Sequence, residues 1–287
     1  MIRLQASLDD KTFEDVLTQA ATLRQDERLV IDATDCTFAS PYGLAALLML
    51  SQTRGERPAL LLPAEERTLR RWMDSGFLRH AAEWFRMESP GSARSVAPAK
   101  GLCLEMTRLV KGADSLGDVE RLREQLLRLL LNTLRLESRL AIGLTVALSR
   151  WCETVIDESP TGGWMMAQTY PYRERVDGRS IAVIAICEAG MTLTRSGDGT
   201  EGATQSAGRN DGDALEAVVV NAKGLDGDRF KGIRGLVSRL EGKFSVRSGT
   251  SRIAMVPQWD DDLPRRENLA AFPGIQLQVT VPGRASA

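Results

Sequence analysis

The stretch that decides the fold runs from residue 140 to residue 159 and reads LAIGLTVALSRWCETVIDES. Its apolar residues recur at spacings of three and four, which predicts one helix with a single apolar stripe. Arg150, Thr154 and Glu158 follow one another at intervals of four residues, so they lie on one face of that helix, away from the stripe. The helix therefore presents one face to a core and a polar column to a candidate site.

The segments around this helix predict a sheet. GGWMMAQTY (residues 162–170) and the unbroken apolar run of residues 181–186, which leads to Gly190, indicate consecutive strands joined by the polar turn RERVDG. KFSVRSGTSRIAMVP (residues 243–257) indicates a hairpin, and AFPGIQLQVTVP (residues 271–282) alternates as an antiparallel strand with one face in the core does. A helix predicted at residues 230–242 precedes the hairpin.

This order of elements resembles the Bergerat-type ATP-binding fold of the GHKL superfamily, and most closely the histidine kinase-like ATPase domains of bacterial anti-sigma factors. The resemblance implies an α/β (α+β) sandwich whose helices pack on one face of a mixed, largely antiparallel sheet. In that family a Glu on the helix orients the attacking water or hydroxyl group. An Asn four residues later holds Mg²⁺.

The residues that carry this chemistry in the family are replaced here. By the resemblance, Arg150 stands at the position of the Glu, Thr154 at that of the Asn, and Glu158 at that of a following His. An arginine can neither act as a base nor ligate a metal. Its charge also opposes a nearby Mg²⁺ ion. We therefore expect no catalytic residue and no metal site.

Two further motifs of the family are also degenerate. The adenine-binding Asp-x-Gly-x-Gly corresponds to Glu188, Gly190 and Thr192, and the glycine-rich phosphate loop corresponds to a segment with Arg229, Phe230 and Gly232. Phe230 places a ring where that loop needs bare backbone close to the phosphates. No cofactor is expected; ATP stays open as a ligand, whereas Mg²⁺ is not expected. The residues of this degenerate nucleotide pocket are Arg150, Thr154, Glu158, Glu188, Gly190, Thr192, Arg229, Phe230 and Gly232.

Residues 1–88 predict a first domain in which strands alternate with helices. The phrase LVIDATDCTFASPYGLAALL resembles the STAS domain of anti-anti-sigma factors, whose Asp-Ser-Ser-Gly loop is phosphorylated by a partner kinase. The corresponding residues are Ser40, Pro41, Tyr42 and Gly43, so only the glycine matches. Ser40 instead reads as a helix cap followed by Pro41 in the first turn. The resemblance thus implies a STAS-like domain that is not phosphorylated.

The rest of the chain forms one larger predicted domain. Residues 89–101 are rich in Ser, Pro, Gly and Ala and indicate a linker. Residues 102–287 then hold the Bergerat-like domain, including an amphipathic helix at residues 115–136 that packs either on the sheet or on a partner helix. Residues 196–213 are almost free of apolar side chains, so we expect a mobile loop there.

Composition limits the classes of function. The chain has 37 basic and 38 acidic residues, which argues against a nucleic-acid or anionic-membrane partner, and no apolar run is long enough to span a membrane. Four cysteines without CxxC spacing indicate reduced core residues of a cytoplasmic protein. His80 is the only histidine, which excludes a multi-histidine metal site, and its context suggests a surface position at a helix end.

Three functions follow from these expectations. The leading hypothesis is a regulatory interaction protein: a pseudo-ATPase fused to a non-phosphorylatable STAS-like domain, which acts by docking to protein partners and leaves a homodimer open. The alternatives are a GHKL ATPase or serine kinase with residual activity, and a nucleotide sensor that binds without hydrolysis. In the sensor, Arg150 would contact phosphate.

Overall fold

A computed structural model describes residues 1–24, 27–88, 103–112, 115–171, 176–191 and 211–284. The predicted linker at residues 89–101 lies outside this part of the chain, and so does the predicted mobile loop up to residue 210. The N-terminal unit contains, in chain order, β1 (Ile2–Arg3), β2 (Ser7–Leu8), α1 (Phe13–Ala21), β3 (Val30–Asp32), β4 (Phe38–Ala39), α2 (Pro41–Gln52), β5 (Ala59–Leu61), α3 (Glu66–Asp74), α4 (Phe77–Trp84) and β6 (Arg86–Glu88).

The N-terminal unit is built on a small parallel sheet of order β1-β3-β5-β6, beside a two-stranded ladder of β2 and β4. Helix α2 begins as predicted, because the Ser40 hydroxyl accepts a hydrogen bond from the Gly43 amide at 3.1 Å and Pro41 occupies the first turn. Gly43 is required there, since a Cβ would lie 2.5 Å from the Leu8 carbonyl oxygen. The alternation of strands and helices predicted for residues 1–88 is confirmed.

The second unit holds the larger sheet. Its elements are β7 (Cys103–Leu109), α5 (Ser115–Arg128), a π-helical turn (Leu129–Thr133), α6 (Ser138–Glu158), β8 (Gly163–Tyr170), β9 (Ile181–Glu188), α7 (Asp211–Val219), α8 (Gly224–Arg239), β10 (Lys243–Gly249), β11 (Ser251–Met255), β12 (Arg265–Arg266) and β13 (Phe272–Pro282). The strands run in the order β12-β11-β10-β13-β9-β8-β7, and each described pair is antiparallel. The α/β class predicted from the sequence is confirmed.

The four helices of the second unit pack on one face of this sheet. The apolar core between them contains Leu144, Trp151 and Phe230 from α6 and α8, and Leu277 and Val279 from β13. The leucine-rich face of α5 contributes to the same core, so this helix packs on its own sheet. This is the intramolecular alternative of the two that the sequence left open.

The opposite face of the seven-stranded sheet is covered by the N-terminal unit. Helix α2 packs against β8 and β9, where its apolar side chains meet Trp164, Met166, Ala185 and Cys187 in one continuous core. Residues 41–51 of α2 are all buried, as expected for a helix that is apolar around its whole circumference. The prediction that the last strand buries only one face was wrong, because the N-terminal unit covers the other face as well.

A charged cluster is buried where the N-terminal unit meets the sheet. Arg247 of β10 is 1% exposed and donates to both carboxylate oxygens of Glu14 in α1, at 2.7 and 3.1 Å. Nearby, Lys243 and Arg252 both form ion pairs with Asp10 and Asp262. Burial raises the pKa of Asp262, but the two cations outweigh this effect and hold the pKa below its usual value. Buried charges are tolerated in this interface because they are paired.

His80 also joins the two units. Its Nε2 lies 3.1 Å from the Met106 carbonyl oxygen of β7, and its ring centroid is 4.7 Å from that of Trp164 in β8. The expected surface position was therefore wrong, since the imidazole is half-buried between α4 and the sheet. Burial lowers its pKa below the ordinary value of 6.5.

The cysteines are free, as expected for reduced thiols. Cys36, Cys152 and Cys187 are buried, whereas Cys103 is only partly buried. Burial raises the pKa of the Cys36 thiol to about 11. This thiol is therefore protonated and unreactive at neutral pH.

Replacing Glu14 by Ala is expected to destabilise the chain by about 3–5 kcal/mol, because Arg247 would remain buried without its carboxylate. The double replacement Glu14→Leu/Arg247→Met should recover most of this loss, and urea unfolding followed by tryptophan fluorescence measures both. The control is Glu105→Ala, which removes an exposed pair with Arg79 and should cost less than about 1 kcal/mol. Equal effects at Glu14 and Glu105 would contradict a buried ionic contact.

The His80 contact predicts a pH dependence of stability. A folded-state pKa below the unfolded value of 6.5 means that the contribution is fully present above pH 6.5 and is lost as the pH falls below 6.5 and through the folded-state pKa. Between pH 7.5 and 5.5 the free energy of unfolding of the wild type should therefore fall more than that of His80→Gln. Parallel pH profiles for the two proteins would show that His80 does not cause the change.

Candidate functional site

The polar column predicted on α6 exists, but its members have different surroundings. Arg150 and Glu158 are exposed, whereas Thr154 is buried. The Thr154 hydroxyl donates to the Arg150 carbonyl oxygen at 2.9 Å, so it bonds back to its own helix. Glu158 accepts a hydrogen bond from Arg229 of α8 at 3.4 Å. The hydrogen bonds of this column therefore run to the backbone of α6 itself and to α8.

Phe230 lies inside the core and not on a loop. The residue belongs to α8 and is 0% exposed, with its ring centroid 4.7 Å from Trp151 and 6.1 Å from Phe244. The three rings fill the space between α6, α8 and the sheet in tilted and edge-to-face contacts, the arrangements that aromatic pairs favour. A ligand in this position would have to displace the Phe230 ring.

Glu188 is the most enclosed of the polar residues among the predicted site residues. It ends β9, is 0% exposed, and its Oε2 accepts from Ser159 Oγ at 3.0 Å and from the amides of Gly190 and Met191 at 2.8 Å. Its Oε1 accepts from the Ile275 amide at 2.6 Å. Burial raises the pKa of this carboxyl, while the four donors act in the opposite direction. The carboxylate therefore joins the end of α6, the loop after β9 and the start of β13.

The glycines of the degenerate motifs have different local roles. A Cβ at Gly190 would lie 2.6 Å from Pro160 Cδ, so this glycine permits close contact between two loops. Gly232 is exposed on α8, and a Cβ there would meet nothing within 4 Å. Thr192 lies outside the described residues.

The described candidates lie around α6, α8 and the end of β9. The polar candidates on the helices are either hydrogen-bonded or exposed: Arg150, Thr154, Glu158 and Arg229. Phe230 lies in the core. Two cavities of about 540 and 760 Å³ lie elsewhere, and none of the predicted site residues lines either of them. Within the described ranges, no group of three His, Cys, Asp or Glu residues could hold a metal ion.

Sequence reasoning missed the larger cavity and the charged cluster beside it. Gln276, Gln278 and Thr280 alternate with the apolar residues of β13, a pattern typical of a solvent-facing side, yet all three are buried. The run of acidic residues at 260–262 is typical of a solvated charged loop, yet the Asp262 side chain is 0% exposed. The sequence does carry one signal of this buried cluster: three charged residues, Lys243, Arg247 and Arg252, lie on strands of the predicted hairpin.

Glu188→Gln is expected to destabilise the chain by about 2 kcal/mol, because one end of an amide cannot accept the hydrogen bonds that both carboxylate oxygens accept now. Chemical unfolding measures the change. The matched control, Glu158→Gln, alters an exposed pair and should cost about 0.5 kcal/mol or less. If the two variants were equally stable, Glu188 would not be a structural carboxylate.

Searches for similar proteins do not extend these observations: no family model, no curated protein and no solved structure matches this chain. Among the residues that the structure describes, no helix is both long and apolar enough to cross a membrane.

Proposed function

We propose that this chain is a non-catalytic regulatory protein, a pseudo-ATPase on a Bergerat-like scaffold, that acts by docking to other proteins. The observation that carries the proposal is the position of Phe230. Its ring packs between Trp151 and Phe244 in the core, where the resembled family would place nucleotide against the helices. A protein that needs this ring for its own core has little space left for a triphosphate.

Apart from Arg150, the polar residues of the candidate site support the same proposal, because their hydrogen-bonding groups already have partners in the chain. Thr154 bonds to its own helix and Glu188 accepts four hydrogen bonds from the chain itself. Glu153, the nearest other carboxylate on α6, forms an ion pair with Arg123 at 3.3 Å. A catalytic base or a metal ligand would have to be released from such contacts first.

The N-terminal unit supports a docking role of its own. Ser40, the hydroxyl nearest to the STAS phosphorylation position, is buried and caps α2. The face of α2 that packs on β8 and β9 is the main contact between the two units. In this proposal the STAS-like unit binds the ATPase-like unit within one chain and needs no phosphorylation switch. The outside partner is proposed to be a protein.

One observation favours the nucleotide sensor as a second candidate. Arg150 is exposed, and no ion pair to it is found within the described residues. A guanidinium group in this state is able to bind phosphate oxygens in a bidentate manner without a metal ion. This candidate needs only a surface site for the phosphates and does not need an adenine pocket.

Calorimetric titration of the full chain with ATP, with and without Mg²⁺, tests these functions. The expected result is no saturable heat up to about 1 mM ATP, equivalent to binding weaker than about −4 kcal/mol. The double variant Arg150→Glu/Thr154→Asn should also give no saturable heat. It restores two residues of the family motif, but it leaves the Phe230 ring in place. Magnesium-dependent heat with phosphate release would contradict the proposal and support the enzyme. Magnesium-independent heat that Arg150→Ala abolishes would support the sensor.

Sedimentation of the full chain over a range of concentrations tests whether the partner is a second copy. A monomer at all concentrations is expected if the partner is a different protein. A concentration-dependent dimer would identify the chain itself as the partner.

A further inference from the structure

The larger cavity lies between the N-terminal unit and the sheet face that this unit covers. We call it the interface cavity; its volume is about 760 Å³, which falls in the range of small-molecule sites. One wall comes from the N-terminal unit, with Phe38 and Ser40, and the floor comes from β8, β9, β10 and β13. The residues used below are Phe38, Tyr170, Val183, Lys243, Trp259 and Gln278.

Gln278 provides a polar group in the floor that has no partner. The residue is 5% exposed, and its side-chain Oε1 has no hydrogen-bond partner in the described part of the chain. An unpaired buried acceptor destabilises the folded chain. The Oε1 atom is itself buried, so a ligand N–H group would supply the missing hydrogen bond once the Gln278 side chain turns towards the cavity.

The cavity lining combines aromatic and aliphatic side chains with charged and polar ones. The rings of Phe38 and Tyr170 are in contact at 5.5 Å between centroids, with an angle of 50° between their planes. Trp259 lies at the rim, where its indole N–H donates to the Glu241 carbonyl oxygen at 2.7 Å. Val183 adds an aliphatic surface to the floor. The three aromatic rings and the aliphatic surface offer stacking contacts to a planar aromatic ligand.

The charges around the cavity disfavour an anion. The cationic group of Lys243 is paired with Asp260 at 3.4 Å and with Asp262 at 2.7 Å, and Lys11 is paired with Asp261 at 3.2 Å. Three aspartates line the cavity against two lysines, and both lysines have carboxylate partners. An anionic ligand would therefore meet excess carboxylate charge without a free cation to offset it.

We propose that the interface cavity binds a small planar aromatic molecule that carries N–H donors and is neutral or positively charged. Gln278 accepts the donor, and the Phe38–Tyr170 pair and Trp259 enclose the ring. Since the cavity is made by both units, such a ligand stabilises their docked arrangement through mass action. The site lies on the sheet face opposite to Phe230, so it does not depend on whether nucleotide binds to the helices.

Three probes of nearly equal shape test the proposal on the full chain: benzamidine, a cation with N–H donors; benzamide, neutral with N–H donors; and benzoate, an anion without them. Ligand-observed NMR gives the affinities, and Trp259→Phe identifies the part of any fluorescence change that comes from the rim. Saturable binding of benzamidine and benzamide, with benzoate at least tenfold weaker, is expected. No saturation by either N–H probe, or equal binding of benzoate, would overturn the proposal.

Variants separate this site from surface binding. Gln278→Leu removes the acceptor at similar volume and should weaken both N–H probes at least tenfold, whereas Gln278→Glu keeps an acceptor and should retain benzamidine. Trp259→Ala, at the partly exposed rim, provides a second test if Gln278→Leu does not fold, and should also weaken binding. Unchanged affinity in Gln278→Leu, or in Trp259→Ala where that variant is used, would contradict the assignment. Neither outcome bears on the ATP titration.

Discussion

The structure depends on the burial of both faces of one antiparallel sheet. Four helices cover one face and the N-terminal unit covers the other, so β9 and β13 lie in the centre of three layers. Helix α2 makes this arrangement necessary, because residues 41–51 carry apolar side chains around the whole helix and a single small sheet cannot bury them all. Its second apolar side requires another surface, which β8 and β9 provide.

Charge then determines how the two units are oriented. An apolar contact alone would allow the two units to slide against each other. Arg247 must pair with Glu14, and Arg252 with Asp10, if no buried charge is to remain unpaired. These pairs contribute little net stability against an apolar replacement, since each charge loses its hydration. Their effect is on specificity: alternative orientations leave cations of β10 and β11 unpaired in a dry interface.

Residues predicted for the nucleotide pocket have structural roles in this framework. The carboxylate of Glu188 holds the loop after β9 against β13, the ring of Phe230 completes an aromatic cluster, and Arg229 links α8 to the end of α6. The cavity that does carry an unpaired polar group lies on the other side of the sheet. We therefore consider the interface between the units, and not the helix layer, the better place to look for a ligand.

The sequence by itself determined the elements and their class. The apolar stripe of α6, the cap at Ser40, the buried run of β9 and the alternation of β13 follow from local periodicity and turn chemistry, which act within a few residues.

Only the tertiary structure decided which polar residues are buried. Gln278, Arg247 and Glu14 read as surface residues, because a sequence shows alternation but not what covers the second face of a sheet. Glu14, the carboxylate partner of Arg247, and Asp10, one of the partners of Arg252, lie more than two hundred residues away along the chain, so no local pattern connects them. The interface cavity arises from the same long-range packing, since its walls belong to two units that meet only when the chain is folded.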